Sequence, residues 1–217
     1  MRTAVLVLAA AALALPLRSE TGPVLQVEFS NPGLSPSHWI LTIHPGGNGH
    51  FRSERGNAPP KDPQTIDAPN VDRDIQLSAS FAERVFQTVR NRKWVNVDCE
   101  SHLKVAFQGW KKLTYSGPDG PGVCTFNYSK DKEIQALGDS LVSVAGTILT
   151  GARLEMLLQH DPLGLDQETE YLVEAARDGR AQQICAIRGI LERLAEDQGV
   201  MERVRKRARV LLADAEK

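Results

Sequence analysis

The stretch His38-Trp39-Ile40-Leu41-Thr42-Ile43-His44-Pro45-Gly46-Gly47-Asn48-Gly49-His50-Phe51-Arg52-Ser53-Glu54 decides the fold of this chain. Trp39, Leu41 and Ile43 alternate with His38, Thr42 and His44, the period of a strand that buries one face. Pro45 to Gly49 is turn chemistry, and the alternation resumes at His50. The stretch therefore reads as a β-hairpin with a five-residue loop. Such a hairpin belongs to an antiparallel sheet with one face on a core and one in water.

Upstream, residues 24–29 read as another strand, ended by Asn31-Pro32-Gly33. Downstream, residues 55–73 hold Pro59, Pro60, Pro63 and Pro69 with almost no apolar periodicity, which predicts an exposed loop or crossover. A short strand at 75–77 follows. Ser80 and Glu83 have the spacing of a capping box, and Phe81, Val85, Phe86 and Val89 make the stripe of the helix it opens. Three strands at 103–108, 111–115 and 123–128 are joined by short turns, which predicts an antiparallel meander.

Beyond Ser129 the period becomes helical. Ile134, Leu137, Leu141, Ala145 and Ile148 keep three-to-four spacing until Pro162 stops the helix. Further helices are expected at 167–177, with Asp166 as N-cap, then at 181–197 and 201–215. The expected architecture is an α+β fold: an antiparallel β-sheet of five or six strands with a packed helix over residues 20–160, followed by an α-helical C-terminal region over 161–217.

At the N-terminus, Arg2 precedes an uninterrupted apolar run over residues 4–17. As a helix that run rises about 21 Å, short of the roughly 30 Å hydrocarbon core. It reads as a secretory signal peptide, 1–19, and the expected location is periplasmic or secreted. No stable membrane span is expected after signal cleavage. In an oxidising compartment Cys99 and Cys124, both in the β-rich region, are expected to form a disulfide. Cys185 is left over on an apolar helical face and reads as a small buried hydrophobe.

Lys+Arg number 26 against 27 Asp+Glu, which argues against a protein that wraps nucleic acid through many phosphate contacts. The one local excess is in the final helix, where Arg203, Arg205 and Arg207 form a candidate partner-binding face beside Lys206 and Arg209. G-x-S-x-G, H-E-x-x-H and C-x-x-C are all missing from the sequence. The glycine-rich segments lead into strands instead of opening a helix, so they lack the amide cluster that cradles phosphate, and no cofactor is implied.

Two constellations carry possible chemistry. A five-residue hairpin loop would set His44 opposite His50, close enough to share a zinc or copper ion once a third ligand is found. Asp98, Glu100 and His102 would share one face of an extended segment and could act as an acid/base pair or bind a hard metal. Polar residues on any solvent-facing strand give the same two patterns. Trp39 is in phase with the core, whereas Trp94 and Trp110 stand at element ends, where an amphipathic ring can face a ligand. Asn127-Tyr128-Ser129 has the form of a glycosylation sequon.

The runs Tyr115-Ser116-Gly117-Pro118-Asp119-Gly120 and Cys124-Thr125-Phe126-Asn127-Tyr128-Ser129-Lys130, with Gly151-Ala152-Arg153-Leu154-Glu155 and Asp161-Pro162-Leu163-Gly164-Leu165-Asp166, resemble uncharacterised exported bacterial proteins. The resemblance covers about the C-terminal half and implies export from a bacterium, with no catalytic or binding residues attached. The functional expectation is a non-enzymatic interaction module whose partner is another protein of the cell envelope. The alternative is a small metal-dependent or acid/base hydrolase using the hairpin histidines.

Overall fold

The computed structural model describes residues 22–56, 69–92 and 98–215. Strands β1 (Val24–Ser30), β2 (His38–Ile43), β3 (Asn48–Glu54) and β4 (Val71–Gln76) follow one another, and helix α1 (Ala79–Arg92) leads on toward β5 (Trp110–Ser116) and β6 (Gly122–Phe126). The six form one antiparallel sheet in the order β4-β3-β2-β1-β5-β6. β1 lies inside the sheet because β5 returns to its free edge, with Val27 opposite both Leu41 and Leu113.

The period-two pattern assigns the two faces. Leu25, Val27, Phe29, Trp39, Leu41, Ile43, Phe51, Leu113, Tyr115, Cys124 and Phe126 point into one core, where α1 and the first part of α2 cover them. Trp39 stacks on Phe29 with centroids 5.1 Å apart. The opposite face carries Glu28, His38, His50, Arg52, Asp72, Asp74 and Lys112 and stays in water, as alternation in an antiparallel sheet requires.

Helix α2 (Lys132–His160) opens on Asp131, whose carboxylate accepts from the N–H groups of Glu133 and Ile134. By length and composition it could cross a membrane, yet most of its apolar stretch is buried within the fold. Its residues as far as Ala152 pack on the sheet. Leu154 and Leu157 belong to a second core, built with α3 (Leu165–Arg177), a 3-10 turn (Ile184–Ile187), α4 (Arg188–Glu196) and α5 (Glu202–Asp214). One helix thus serves both cores.

Several local expectations are corrected. α1 is capped by Ser78, whose Oγ accepts from the Phe81 N–H, while Glu83 turns to Arg90 and Gln87 instead of closing a box with Ser80. β4 begins at Val71, inside the stretch expected to be a loop, because register with β3 recruits residues whose own pattern is polar. Asp166 lies inside the first turn of α3, and Gly164 takes the N-cap position. Residues 103–108 are not in the sheet, for a reason given below. The signal peptide and Trp94 lie outside the described residues.

Candidate functional site

The hairpin turn is tighter than its composition suggests. His44 donates its N–H to the Asn48 carbonyl and Thr42 stands opposite His50, so His44 and His50 are not a cross-strand pair. They occupy the same face at offset positions and both line a cleft of about 610 Å³ between β3, β4 and the start of α4. The cross-strand neighbour of His50 is Asp74 on β4. Nδ1 of His50 lies 2.8 Å from Asp74 and Nε2 lies 2.9 Å from Asp72. The Asp74 hydrogen bond, with that of Asp72 behind it, holds the imidazole above its ordinary pKa against a smaller opposing effect of burial. Both ring nitrogens therefore lie within hydrogen-bond distance of carboxylates. Among the described residues no group of three or more His, Cys, Asp or Glu could hold a metal.

The second constellation separates into two roles. His102 Nε2 lies 2.8 Å from Asp98 Oδ2 at the surface, and that bond is the main cause of the lowered Asp98 pKa. Glu100 instead organises the chain. Its carboxylate accepts from the N–H groups of Ser101, His102 and Asn127 and from the Ser101 hydroxyl. Partial burial opposes its charge, and these donors outweigh it and hold the carboxyl below its usual range. His102 sits in the left-handed region at φ 54°. Cys99 is bonded to Cys124, their Cα atoms 5.5 Å apart, which pins this loop against β6.

Asn127 is the hub of the region. Its N–H donates to Glu100 Oε2 at 2.6 Å, and its carbonyl accepts from Lys111 Nζ at 3.0 Å. Its side-chain oxygen accepts from the Gln108 N–H at 2.7 Å, and Nδ2 donates to the Ala106 carbonyl at 3.3 Å. Asn127 is buried, so the sequon offers no free carboxamide. Lys111 points to the core side of the sheet, where burial pushes its pKa down; the charges of Asp139 and Glu100 act against that push, and its ammonium lies 5.4 Å from the Phe126 ring centroid.

What Asn127 holds is residues 103–108, Leu-Lys-Val-Ala-Phe-Gln. The carboxamide of one side chain occupies the place where a neighbouring strand would be, so the segment stands off β6 as a ribbon outside the ladder, with all six residues exposed. Leu103, Val105 and Phe107 are 51%, 42% and 50% exposed, and Trp110 at the head of β5 is 45% exposed. Phe107 and Trp110 meet edge to face at 6.2 Å. Gly109, at φ 110°, turns the chain into β5; a Cβ there would lie 2.4 Å from the Phe29 ring. Large apolar side chains are concentrated on this one ribbon, and the largest apolar patch of a monomer is often functional. The alternation that predicted a strand here was real, and the partner strand is what the fold does not supply.

The basic face of α5 is largely spent inside the C-terminal bundle. Asp166 takes both Arg203 at 2.6 Å and Arg207 at 2.7 Å, Arg207 also reaches Glu170, and Arg205 pairs with Glu202 and Gln198. These arginines join α5 to α3 and to its own first turn instead of forming an open cationic patch. Cys185, expected to be a small buried hydrophobe, lines the histidine cleft half-buried, with its thiol pKa raised mainly by that partial burial.

No family model matches the chain, and no curated protein matches it.

Proposed function

We propose that this protein is an exported, non-enzymatic interaction module of the bacterial cell envelope that docks a protein partner through the ribbon 103–108 and Trp110. The observation that carries this reading is the exposed run of Leu103, Val105 and Phe107 continued by the Phe107–Trp110 pair. Export is supported by the apolar leader over residues 4–17, and the Cys99–Cys124 disulfide is compatible with an oxidising compartment. The hydrolase alternative draws less support from this geometry, because both His50 ring nitrogens lie within hydrogen-bond distance of carboxylates and His44 is not its cross-strand partner. Arg203, Arg205 and Arg207 support docking less, because each is already paired with Asp166 or Glu202.

A photocrosslinking residue at Phe107 in the exported protein tests this. The expected result is a discrete protein adduct that disappears when Val105→Asp is added and is absent from the same probe at Arg203. Adducts only at Arg203, or turnover in a hydrolase screen that His50→Gln abolishes, would overturn it.

A further inference from the structure

We infer that the occupant of the ribbon is a second copy of this chain, paired antiparallel over residues 103–107 in a register centred on Val105. The inference rests on the docking role proposed above and adds the identity of the partner.

The ribbon has one used edge and one open edge. The Asn127 carboxamide takes the Ala106 carbonyl and the Gln108 N–H. Where the chain is extended the polar groups of alternate residues face opposite sides, so those of Phe107 face away from Asn127, and those of Val105 join them once the three-residue turn that its N–H closes on Leu103 is opened. Among the described residues the Phe107 N–H and carbonyl have no partner, and the Val105 N–H closes only on the Leu103 carbonyl two residues back, at 2.9 Å. That local bond, and the one the Leu103 N–H donates to Ser101 Oγ at 3.1 Å, are the two that pairing over 103–107 replaces.

The pattern of the ribbon is symmetric about Val105: Leu103, Val105 and Phe107 apolar, Lys104 and Ala106 between them. When Val105 stands opposite Val105 of the second copy, Leu103 meets Phe107 of the second copy, and the reverse pair repeats it. All six apolar side chains then share one face. Lys104 falls opposite Ala106 of the second copy, so the two lysine charges do not oppose each other. A one-residue slip sets apolar side chains against lysine or glutamine. No proline interrupts the ribbon; Lys104, a residue type that usually discourages edge pairing, is its one charge and falls opposite Ala106 in this register.

The area sets the strength. With roughly half of each side chain exposed, the patch offers on the order of 300 Å² of apolar surface per copy. Two copies bury less than the roughly 1,200 Å² at which stable interfaces begin, so the dimer is reversible and concentration-dependent.

Sedimentation of the exported, oxidised protein over rising concentration should show an average mass climbing from monomer toward dimer. Val105→Asp should stay monomeric with unchanged circular dichroism and melting temperature. In a Cys185→Ser background, Val105→Cys should form a disulfide-linked dimer on mild oxidation much faster than Leu103→Cys, whose thiols would lie roughly 13 Å apart along the pair. A protein monomeric at every concentration, or equal linkage at the two positions, overturns self-pairing. If the Phe107 adduct contains a different protein and still depends on Val105, self-pairing alone falls. If there is neither adduct nor dimer, the docking reading falls as well.

Discussion

Arg73 on β4 and Glu155 on α2, 82 residues apart in sequence, form a two-pronged ion pair with contacts of 3.0 and 2.7 Å. Arg73 projects from the core side of the sheet, and Glu155 lies on α2 just past the residues that pack there. The pair fastens β4 to the part of α2 where the second core begins.

Replacing Glu155 with Gln should therefore cost about 1–2 kcal/mol, the range of a half-buried charge-assisted hydrogen bond. Urea unfolding of Glu155→Gln, Arg73→Met and the double variant measures it. A coupling energy indistinguishable from zero would show that the pair is ornamental.

The His50 clamp makes stability depend on pH in a definite direction. Its folded pKa is raised above the unfolded value of about 6.5, so the stabilisation is complete below that value and is lost as pH rises through the folded pKa. Above it, one of the two carboxylates faces a bare ring nitrogen. Melting temperatures across neutral pH should fall more steeply for the native chain than for His50→Gln, and the imidazole NMR signals should titrate above the ordinary range. Equal slopes would count against the clamp.

Two glycines of α2 should respond to alanine with opposite signs. Gly146 faces open space, so Gly146→Ala should stabilise by up to about 1 kcal/mol through helix propensity. At Gly151 a Cβ would lie 2.4 Å from Ile187 Cγ2, and the helix and the 3-10 turn would have to separate. Gly151→Ala should destabilise by about 1–3 kcal/mol despite its better propensity. Thermal melts of the two variants decide it.

Asn127→Ala removes the side chain that holds the ribbon and should cost about 1–2 kcal/mol for the two hydrogen bonds. The sharper readout is local. Hydrogen exchange at the Gln108 amide should accelerate strongly while the amides of β1 and β2 keep their protection. Uniform acceleration would mean that Asn127 supports the whole sheet instead of the ribbon.

Cys99→Ser with Cys124→Ser opens a loop of sequence separation 25, for which chain entropy predicts a loss of about 3 kcal/mol. Adding reductant to the native protein should lower its melting temperature comparably and leave the double variant unaffected.

Much of this was legible in the chain. The hairpin around Pro45 to Gly49, the sheet core from Leu25 to Ile43, the helical C-terminal region and the Cys99–Cys124 pair followed from period, turn residues and cysteine placement. The clamp on His50 was not, because Asp72 fell in a polar segment with no strand period of its own and Asp74 beyond it showed none either; pairing with β3 made both part of a strand. The arginines of α5 looked like an open patch because Asp166, which takes two of them, is 37 and 41 positions away.

The sequence by itself determined which residues seek burial and at what period, since alternation and three-to-four spacing are local properties of the chain. Only the tertiary structure decided which polar groups are already satisfied. Residues 103–108 show the difference: their pattern specifies a strand, but a strand needs a neighbour, and the neighbouring position is held by the Asn127 carboxamide. Pairing is a relation between distant segments, so a segment with strand chemistry and no partner inside its own fold can be recognised only after the rest of the chain is in place.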